Sequence, residues 1–216
     1  MTGDKIRELA NRSDMHPARK VWHIACGAIA LIIYHLSPLH LKFWGYFSLA
    51  ISFIGFALDF ARLYNPKFNA FAIKIMGPLM RKSERDGFSG LPFYALGIAL
   101  AILFYQKEIA LLVIMFLVFA DPAASVMGIK FGHKKILPNK TVVGTLTCWF
   151  FCAGIVFLNF YNPESFSLHI IFFALIAGLI GAISEIFSAF NVDDNVTIPL
   201  VSGLGITLLN NVMPII

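Results

Sequence analysis

The sequence predicts an all-α integral membrane protein, a polytopic helical bundle of about seven transmembrane helices. Of its 216 residues, 58% are hydrophobic and only 13% are charged. The mean hydropathy is +0.78. Soluble domains carry about 25% charged residues, so this composition excludes an ordinary soluble enzyme. The apolar runs are long and do not alternate with polar residues, which excludes membrane-spanning β-strands.

The apolar runs give the expected order of the helices. A transmembrane helix needs about 20 apolar residues, and turn residues such as Asn65-Pro66 separate one run from the next. We expect spans near 20–37, 41–63, 89–106, 108–127, 142–161, 166–190 and 195–214. The expected organisation is a polar N-terminal segment, 1–18, followed by a single transmembrane catalytic domain, 19–216.

The distribution of positive charge predicts how the bundle is oriented. With seven spans, only Lys42 and Lys107 of the 17 Lys and Arg residues fall on the side opposite the N-terminus. Cytoplasmic loops carry an excess of Lys and Arg, so we expect the N-terminus to be cytoplasmic. This bias explains the basic pI near 9.2 without a nucleic-acid partner.

Asp121 is the most informative single position. It follows twelve consecutive apolar residues, 109–120, and precedes Pro122. A carboxylate at the centre of a membrane helix costs about 2.5–3.5 kcal/mol, and such residues are usually functional. Proline removes a backbone donor, so we expect the helix to break here beside a polar cavity.

The loop after Asp121 contains the groups that bind polyphosphate. It includes Gly128-x-x-x-Gly132 and ends in Lys140-Thr141-x-x-Gly144. Lysine cations and glycine backbone amides offset phosphate charge. The spacing is not that of a P-loop.

Other polar residues fall near the same ends of the expected spans. Magnesium is commonly held by one or two carboxylates together with substrate phosphates and water. The ordinary structural alternatives are a helix-end ion pair for Asp59 and Arg62, and an N-cap for 193–195. The candidates are Arg19, Lys20, His23, Asp59, Arg62, Glu185, Asp193, Asp194 and Asn195.

The ordered set of motifs resembles the CTP-dependent lipid-alcohol kinases, the family of dolichol kinase, phytol kinase and the CTP-using diacylglycerol kinase. The resemblance covers nearly the whole chain from Arg19 onward. The matching motifs are Arg19-Lys20-x-x-His23, Asp59-x-x-Arg62, Arg81-x-x-Glu84, Asp121-Pro122-x-Ala124, Gly128-x-x-x-Gly132, Lys140-Thr141-x-x-Gly144, Glu185 and Asp193-Asp194-Asn195.

The resemblance implies that CTP donates its γ-phosphate to the hydroxyl of a membrane lipid alcohol, such as a polyprenol, phytol or diacylglycerol. The expected metal ligands, for Mg²⁺ or another divalent cation, are Asp121, Asp193, Asp194 and Asn195. The expected contacts to CTP are Arg19, Lys20, Arg62, Gly128, Gly132, Lys140, Thr141 and Gly144. The expected catalytic residues are His23, Asp59, Asp121 and Glu185, with no ranking among His23, Asp59 and Glu185 as the group that positions or deprotonates the alcohol.

Two alternative functions remain open at this stage. The central motif is distantly similar to phosphatidate cytidylyltransferase, but 185–203 contains no basic residue and no Pro-Gly-His-Gly-Gly. A small transporter would also carry intramembrane carboxylates, although it needs polar groups reachable from both sides. For the kinase, the expected partners are CTP and a lipid alcohol at a site that faces the cytoplasm, and a homo-oligomer is compatible with the sequence.

Overall fold

The chain is almost entirely helical. The computed structural model describes residues 9, 14–163, 167–188 and 192–216, so most of the segment 1–18 and the ends of the expected span 166–190 lie outside the described residues. The helices are α1 (Pro17–Leu36), α2 (Leu41–Tyr64), α3 (Pro66–Met76), α4 (Gly90–Phe104), α5 (Lys107–Met115), α6 (Asp121–Phe131), α7 (Val142–Phe160), α8 (Leu168–Phe187) and α9 (Asp194–Val212). Two short strands, β1 (Lys135–Leu137) and β2 (Lys140–Thr141), pair antiparallel between α6 and α7.

The structure supports a helical membrane protein with fewer spans than the sequence predicts. Within the described residues, five helices are long and apolar enough to cross a membrane: Leu41–Tyr64, Lys107–Phe131, Val142–Phe160, Leu168–Phe187 and Asp194–Val212. α4 is apolar but has only 15 residues. α1 has 20 residues, but polar side chains occupy its first two turns. The expectation of seven spans counted both of these runs, and it is therefore not supported.

The helix that carries Asp121 does not break at Pro122. Lys107–Phe131 is continuous, because a π-helical turn, Phe116–Ala120, joins α5 to α6. The Asp121 N–H donates to the Phe116 carbonyl, five residues back. One extra residue in the turn lets the helix pass a proline that has no N–H to donate. The expected break is thus wrong, and a π turn replaces it.

The core of the bundle lies around α5 and the π turn. Phe116, Leu117 and Val118 have no exposed surface, and most of α5 is equally buried. α8 packs between α7 and α9, α4 packs between α2 and α9, and α6 packs on α7. This arrangement brings the N-terminal ends of α1, α6 and α9 to the same end of the bundle.

Candidate active site

A polar cavity lies where the first turns of α1, α6 and α9 meet. Three cations and three carboxylates contribute to its wall: Arg19, Lys20, Arg81, Asp14, Asp121 and Asp194. Lys20 Nζ and Arg81 Nε are buried, and neither has a hydrogen-bond partner among the described residues. Buried donors without partners are rare and costly, so their presence here indicates a site for an anion. The N-terminal ends of α1 and α9 favour an anion at the same place.

Two carboxylates of this cavity, Asp121 and Asp194, suit a divalent cation that also binds phosphate. Asp121 stands at the start of α6 and is in electrostatic contact with Asp194, the first residue of α9. Two like charges in one buried site repel each other unless a cation lies between them. No group of three or more His, Cys, Asp or Glu residues within the described chain could hold a metal by itself. A pair of carboxylates is a donor set that suits Mg²⁺, which takes one or two carboxylates and completes its shell with phosphate and water.

A buried carboxylate holds Arg19 at the edge of the cavity. Arg19 Nη1 donates to Glu84 Oε1 at 2.7 Å, to Glu84 Oε2 at 2.9 Å and to the Leu79 carbonyl oxygen at 3.0 Å. Glu84 also accepts hydrogen bonds from the backbone N–H groups of Arg81 and Gly90. The motif Arg81-x-x-Glu84 thus belongs to the site, although neither residue was among the candidates from the sequence. The resemblance to the kinase family, whose pattern includes this motif, was the sequence signal that could have identified them.

His23 is oriented by the π turn. Its Nε2 lies 2.9 Å from the Leu117 carbonyl oxygen. That carbonyl is available because the Asp121 N–H, its partner in a regular α-helix, donates to Phe116 instead. A carbonyl oxygen only accepts, so Nε2 carries the hydrogen and the neutral ring keeps its lone pair on Nδ1. The Tyr94 ring packs against the imidazole with a centroid distance of 4.3 Å.

A second, mostly apolar cavity adjoins the polar one. It lies between α1, the segment 76–84 and the start of α4, and Trp22, Met76 and Leu91 contribute to its wall. Arg19, His23 and Asn195 line both cavities. A ligand with a polar head and an apolar body could therefore reach the boundary from the apolar side.

Asp193 and Asn195 organise the start of α9. Asp193 Oδ1 accepts from the Asn195 backbone N–H at 3.0 Å and from Asn195 Nδ2 at 2.7 Å, so Asp193 is the N-cap of the helix. Burial raises the pKa of Asp193 to about 6, and the neighbouring Asp194 carboxylate adds to the rise. Asn195 lines the polar cavity, whereas Asp193 is not among the described residues that do so.

Asp59 and Arg62 form a buried structural link at the end of α2. Arg62 Nε donates to Asp59 Oδ1 at 2.6 Å, and Arg62 Nη2 donates to the Gly87 carbonyl oxygen at 2.7 Å. Asp59 Oδ2 accepts from both the backbone N–H and the hydroxyl of Ser89. Neither residue is among the described residues that line the two cavities. The pair ties α2 to the loop before α4 and supports the site from a distance.

Lys140 and Glu185 are paired with each other in the interior. Lys140 Nζ donates to Glu185 Oε1, which joins β2 to the last turns of α8, and both residues are buried. Glu185 Oε2 has no partner among the described residues. Both side chains are in electrostatic contact with Asp121 but are not among the described residues of the polar cavity wall. The sequence placed them in the same region but did not predict that they bind each other.

The glycines after Asp121 allow α6 and α7 to cross closely. A Cβ at Gly128 would lie 2.9 Å from Thr141 Oγ1, and a Cβ at Gly132 would overlap the Gly128 carbonyl and the Thr141 side chain. A Cβ at Gly144 would lie 3.1 Å from the Ala124 carbonyl oxygen. Thr141 Oγ1 accepts from the Gly144 N–H at 3.1 Å and caps α7. Their contact with CTP phosphates stays a prediction, since each of them already has this packing role.

Comparison with known proteins gives the family. CTP-dependent diacylglycerol kinase 1 of Saccharomyces cerevisiae is 33% identical over 213 residues, which cover 86% of this chain and 70% of that protein. The protein of the same name from Schizosaccharomyces pombe is 32% identical over 199 residues, 85% of this chain and 88% of the relative. The chain belongs to the CTP-dependent diacylglycerol kinase family. The resemblance that the motifs indicated is therefore confirmed.

A further member of this kinase family shows the same likeness. The CTP-dependent diacylglycerol kinase 1 of Eremothecium gossypii is 32% identical over 212 residues, which cover 86% of this chain and 64% of that protein. No protein-family model and no solved structure matches the chain. The geometry described above is thus the basis for assigning roles to individual residues.

Proposed function

We propose that the protein transfers the γ-phosphate of CTP to the hydroxyl of diacylglycerol, giving CDP and phosphatidate. The names of the relatives support CTP as the donor and diacylglycerol as the acceptor among the lipid alcohols. The observation that carries the proposal is the boundary between the two cavities. There a wall that suits a triphosphate meets a wall that suits a lipid, and Arg19, His23 and Asn195 belong to both.

The polar cavity is the proposed triphosphate site. Phosphoryl transfer asks the protein mainly to position the reactants and to stabilise charge on the phosphoryl oxygens. Arg19, Lys20 and Arg81 supply that charge, and Glu84 fixes Arg19 in place. Lys140, Thr141 and the glycines, which the sequence assigns to CTP, are not among the described residues of this wall. Their contact with CTP would lie outside the polar cavity.

His23 is the proposed proton acceptor. The lipid hydroxyl oxygen forms a bond to the γ-phosphorus while the bond from that phosphorus to the β–γ bridging oxygen breaks. CDP leaves with the electron pair, and the hydroxyl proton passes to His23 Nδ1. Support comes from the place of His23 in both cavity walls and from the Leu117 carbonyl that fixes its tautomer. The other two candidates, Asp59 and Glu185, are each bonded to a cation of the protein instead.

Asp121 and Asp194 are the residues that would hold Mg²⁺. When bound, the ion would neutralise part of the triphosphate charge and favour CDP as a leaving group. Asn195 stands beside this pair in the same wall. Asp193 contributes indirectly, since it caps α9 and thereby positions Asp194.

The site is proposed to face the cytoplasm, where CTP is available. Support comes from the bias of Lys and Arg towards one side of the bundle. External CTP added to sealed proteoliposomes of known insertion direction tests this orientation. Phosphatidate should form only from molecules whose α1 and α9 N-termini face outward.

The deciding experiment for the function uses purified protein with CTP that carries the label at either the α or the γ position. With diacylglycerol as acceptor, we expect γ-label in phosphatidate and none of the α-label in lipid. Polyprenol and phytol in the same assay test the acceptor class. Transfer of α-label to added phosphatidate would indicate cytidylyl transfer and would overturn the proposal.

A further inference from the structure

The apolar cavity has the lining and position expected of a lipid subsite. Trp22 and Cys26 of α1 form one side, and Met76 and Leu79 form another. Trp22 is 49% exposed and lies at the outer edge of this wall. Further along α1, large apolar side chains such as Ile29 and Ile33 are also exposed, as expected of a surface in contact with lipid. The cavity therefore opens beside an exposed apolar surface of α1.

The charge of the cavity favours a neutral occupant. The charged residues of its described wall are Arg19 and Glu84, and these two neutralise each other through hydrogen bonds of 2.7 and 2.9 Å. An anionic phospholipid would bring an extra negative charge next to Glu84, which burial makes costly. A neutral lipid with a hydroxyl brings none. The polar cavity next to it, by contrast, carries cations whose donors lack partners.

The continuity of the two cavities fixes the direction of the ligand. His23 lies at their boundary, and the apolar wall extends from it along α1 to Cys26. A lipid in this cavity places its hydroxyl beside His23 and its hydrocarbon towards Trp22 and the bilayer. The opposite orientation would bury hydrocarbon among Arg19, Lys20 and Asp121, which are polar.

We propose that this cavity, between α1, the segment 76–84 and the start of α4, is the binding subsite of the neutral lipid acceptor. The lipid enters laterally from the membrane with its hydroxyl-bearing end towards His23. The inference rests on the proposed function, because it names the place where that reaction receives its acceptor.

Cys26 provides a direct probe of the subsite. Its side chain is partly buried and lines the cavity, whereas Cys148 and Cys152 are 1% and 0% exposed and serve as internal controls. The full chain is placed in phosphatidylcholine nanodiscs without nucleotide and treated with N-ethylmaleimide, and modification of each cysteine is followed by peptide mass spectrometry. Dioctanoylglycerol should slow modification of Cys26 several-fold relative to nanodiscs that contain phosphatidylcholine alone. Equal rates of Cys26 modification with and without dioctanoylglycerol would overturn the proposal.

A pair of variants on the same helix gives an independent test. Cys26→Trp fills the cavity and should raise the KM for diacylglycerol several-fold while the KM for CTP stays unchanged. Ile29→Trp introduces the same side chain at an exposed position of α1 and should leave both values unchanged. Equal KM values for diacylglycerol in the two folded variants would contradict the subsite. If Cys26→Trp does not fold, the labelling of the unmodified chain still decides.

The two proposals fail in different ways. Protection of Cys26 by dioctanoylglycerol in a protein that transfers no phosphate to it would overturn the proposed reaction and leave the subsite standing. Transfer of γ-phosphate without protection of Cys26 would do the reverse.

Discussion

The Nε2–H of His23 donates to the carbonyl oxygen of Leu117 over 2.9 Å, and this bond links the candidate base to an irregular turn of a neighbouring helix. The turn lies next to Pro122, whose missing N–H leaves one carbonyl of the helix without a backbone donor. Pro122, a residue type that usually breaks a helix, thus lies beside a π turn whose free carbonyl orients the His23 imidazole. π turns of this kind are frequent at functional sites.

His23→Gln should lower kcat by about 10²–10⁴-fold, because general-base catalysis contributes that much and glutamine accepts no proton. The measurement is γ-phosphate transfer to diacylglycerol across a range of pH, in which the acidic limb of the profile should also disappear. Tyr94→Phe is the matched control. It keeps the ring contact to His23 and loses only a long hydrogen bond, of 3.3 Å, to the His23 carbonyl oxygen. A His23→Gln protein with the parent kcat would rule out the assigned role.

Pro122→Ala should lower kcat by about 10²-fold, the effect of a misplaced catalytic group. An N–H at position 122 allows the regular α-helical pattern to return, so that Leu117 accepts from Asp121 and releases His23. The ring nitrogen chemical shifts of His23 in ¹⁵N-histidine-labelled protein report the loss of the fixed tautomer. Pro66→Ala, an exposed proline at the start of α3, should change neither the shifts nor kcat. Unaltered shifts in Pro122→Ala would show that the π turn does not depend on the proline.

Removal of divalent cations with EDTA should abolish transfer, and added Mg²⁺ should restore it. Asp194→Asn should raise the Mg²⁺ concentration for half-maximal rate about tenfold or more, since loss of a group that only supports a metal ligand already costs about 10–100-fold in affinity. Asp86→Asn is the control, because that side chain is 86% exposed. An Asp194→Asn protein with the parent Mg²⁺ dependence would exclude Asp194 as a ligand.

Asp59→Ala should reduce the free energy of unfolding by about 3–5 kcal/mol, because it leaves the buried Arg62 guanidinium without its partner. The rate per folded molecule should stay close to that of the parent. Arg85→Ala is the control, since Arg85 is 62% exposed and its ion pair with Asp86 spans 4.0 Å. Its effect should stay below about 1 kcal/mol. A stable but inactive Asp59→Ala protein would instead support a direct role in catalysis.

Gly132→Ala should reduce the free energy of unfolding by about 1–3 kcal/mol, the usual cost of overpacking. The added methyl would overlap the Gly128 carbonyl and the Thr141 side chain, so both the C-terminal end of α6 and its contact with Thr141 must shift. A Cβ at Gly154 on α7 would meet nothing within 4 Å, and Gly154→Ala should be neutral or stabilising by up to about 1 kcal/mol. Thermal unfolding in detergent checks both variants. Equal stability of the two would contradict the packing role.

Some features of the site could be predicted because they depend on local chemistry. A carboxylate such as Asp121 costs free energy anywhere in a membrane, so its presence indicated a polar cavity. The bias of positive charge indicated that Arg19 and Lys20 lie at the same end of the bundle. Other features could not be predicted, because they depend on contacts between distant parts of the chain. The Arg19–Glu84 bond joins residues 65 positions apart, and nothing in either local sequence requires it.

The errors in the fold have equally physical causes. Hydropathy detected the apolar run of α4 but not its 15-residue length, and it counted α1 as a span despite Arg19, Lys20 and His23 near its start. The proline rule correctly indicated a disturbance at Pro122, but a helix can absorb the missing donor through a π turn as well as through a break. The sequence therefore predicted that these segments are helices. It did not predict where the helices end or that one of them contains a π turn.

The bond between Lys140 and Glu185 has a consequence for how this sequence can vary. Changing either residue alone would leave one unneutralised charge in an interior that water does not reach, whereas exchanging both for apolar residues of matching volume would cost little. Substitutions at these two positions that preserve folding should therefore occur together, and a library of paired variants should contain far more folded members than the two single-site libraries.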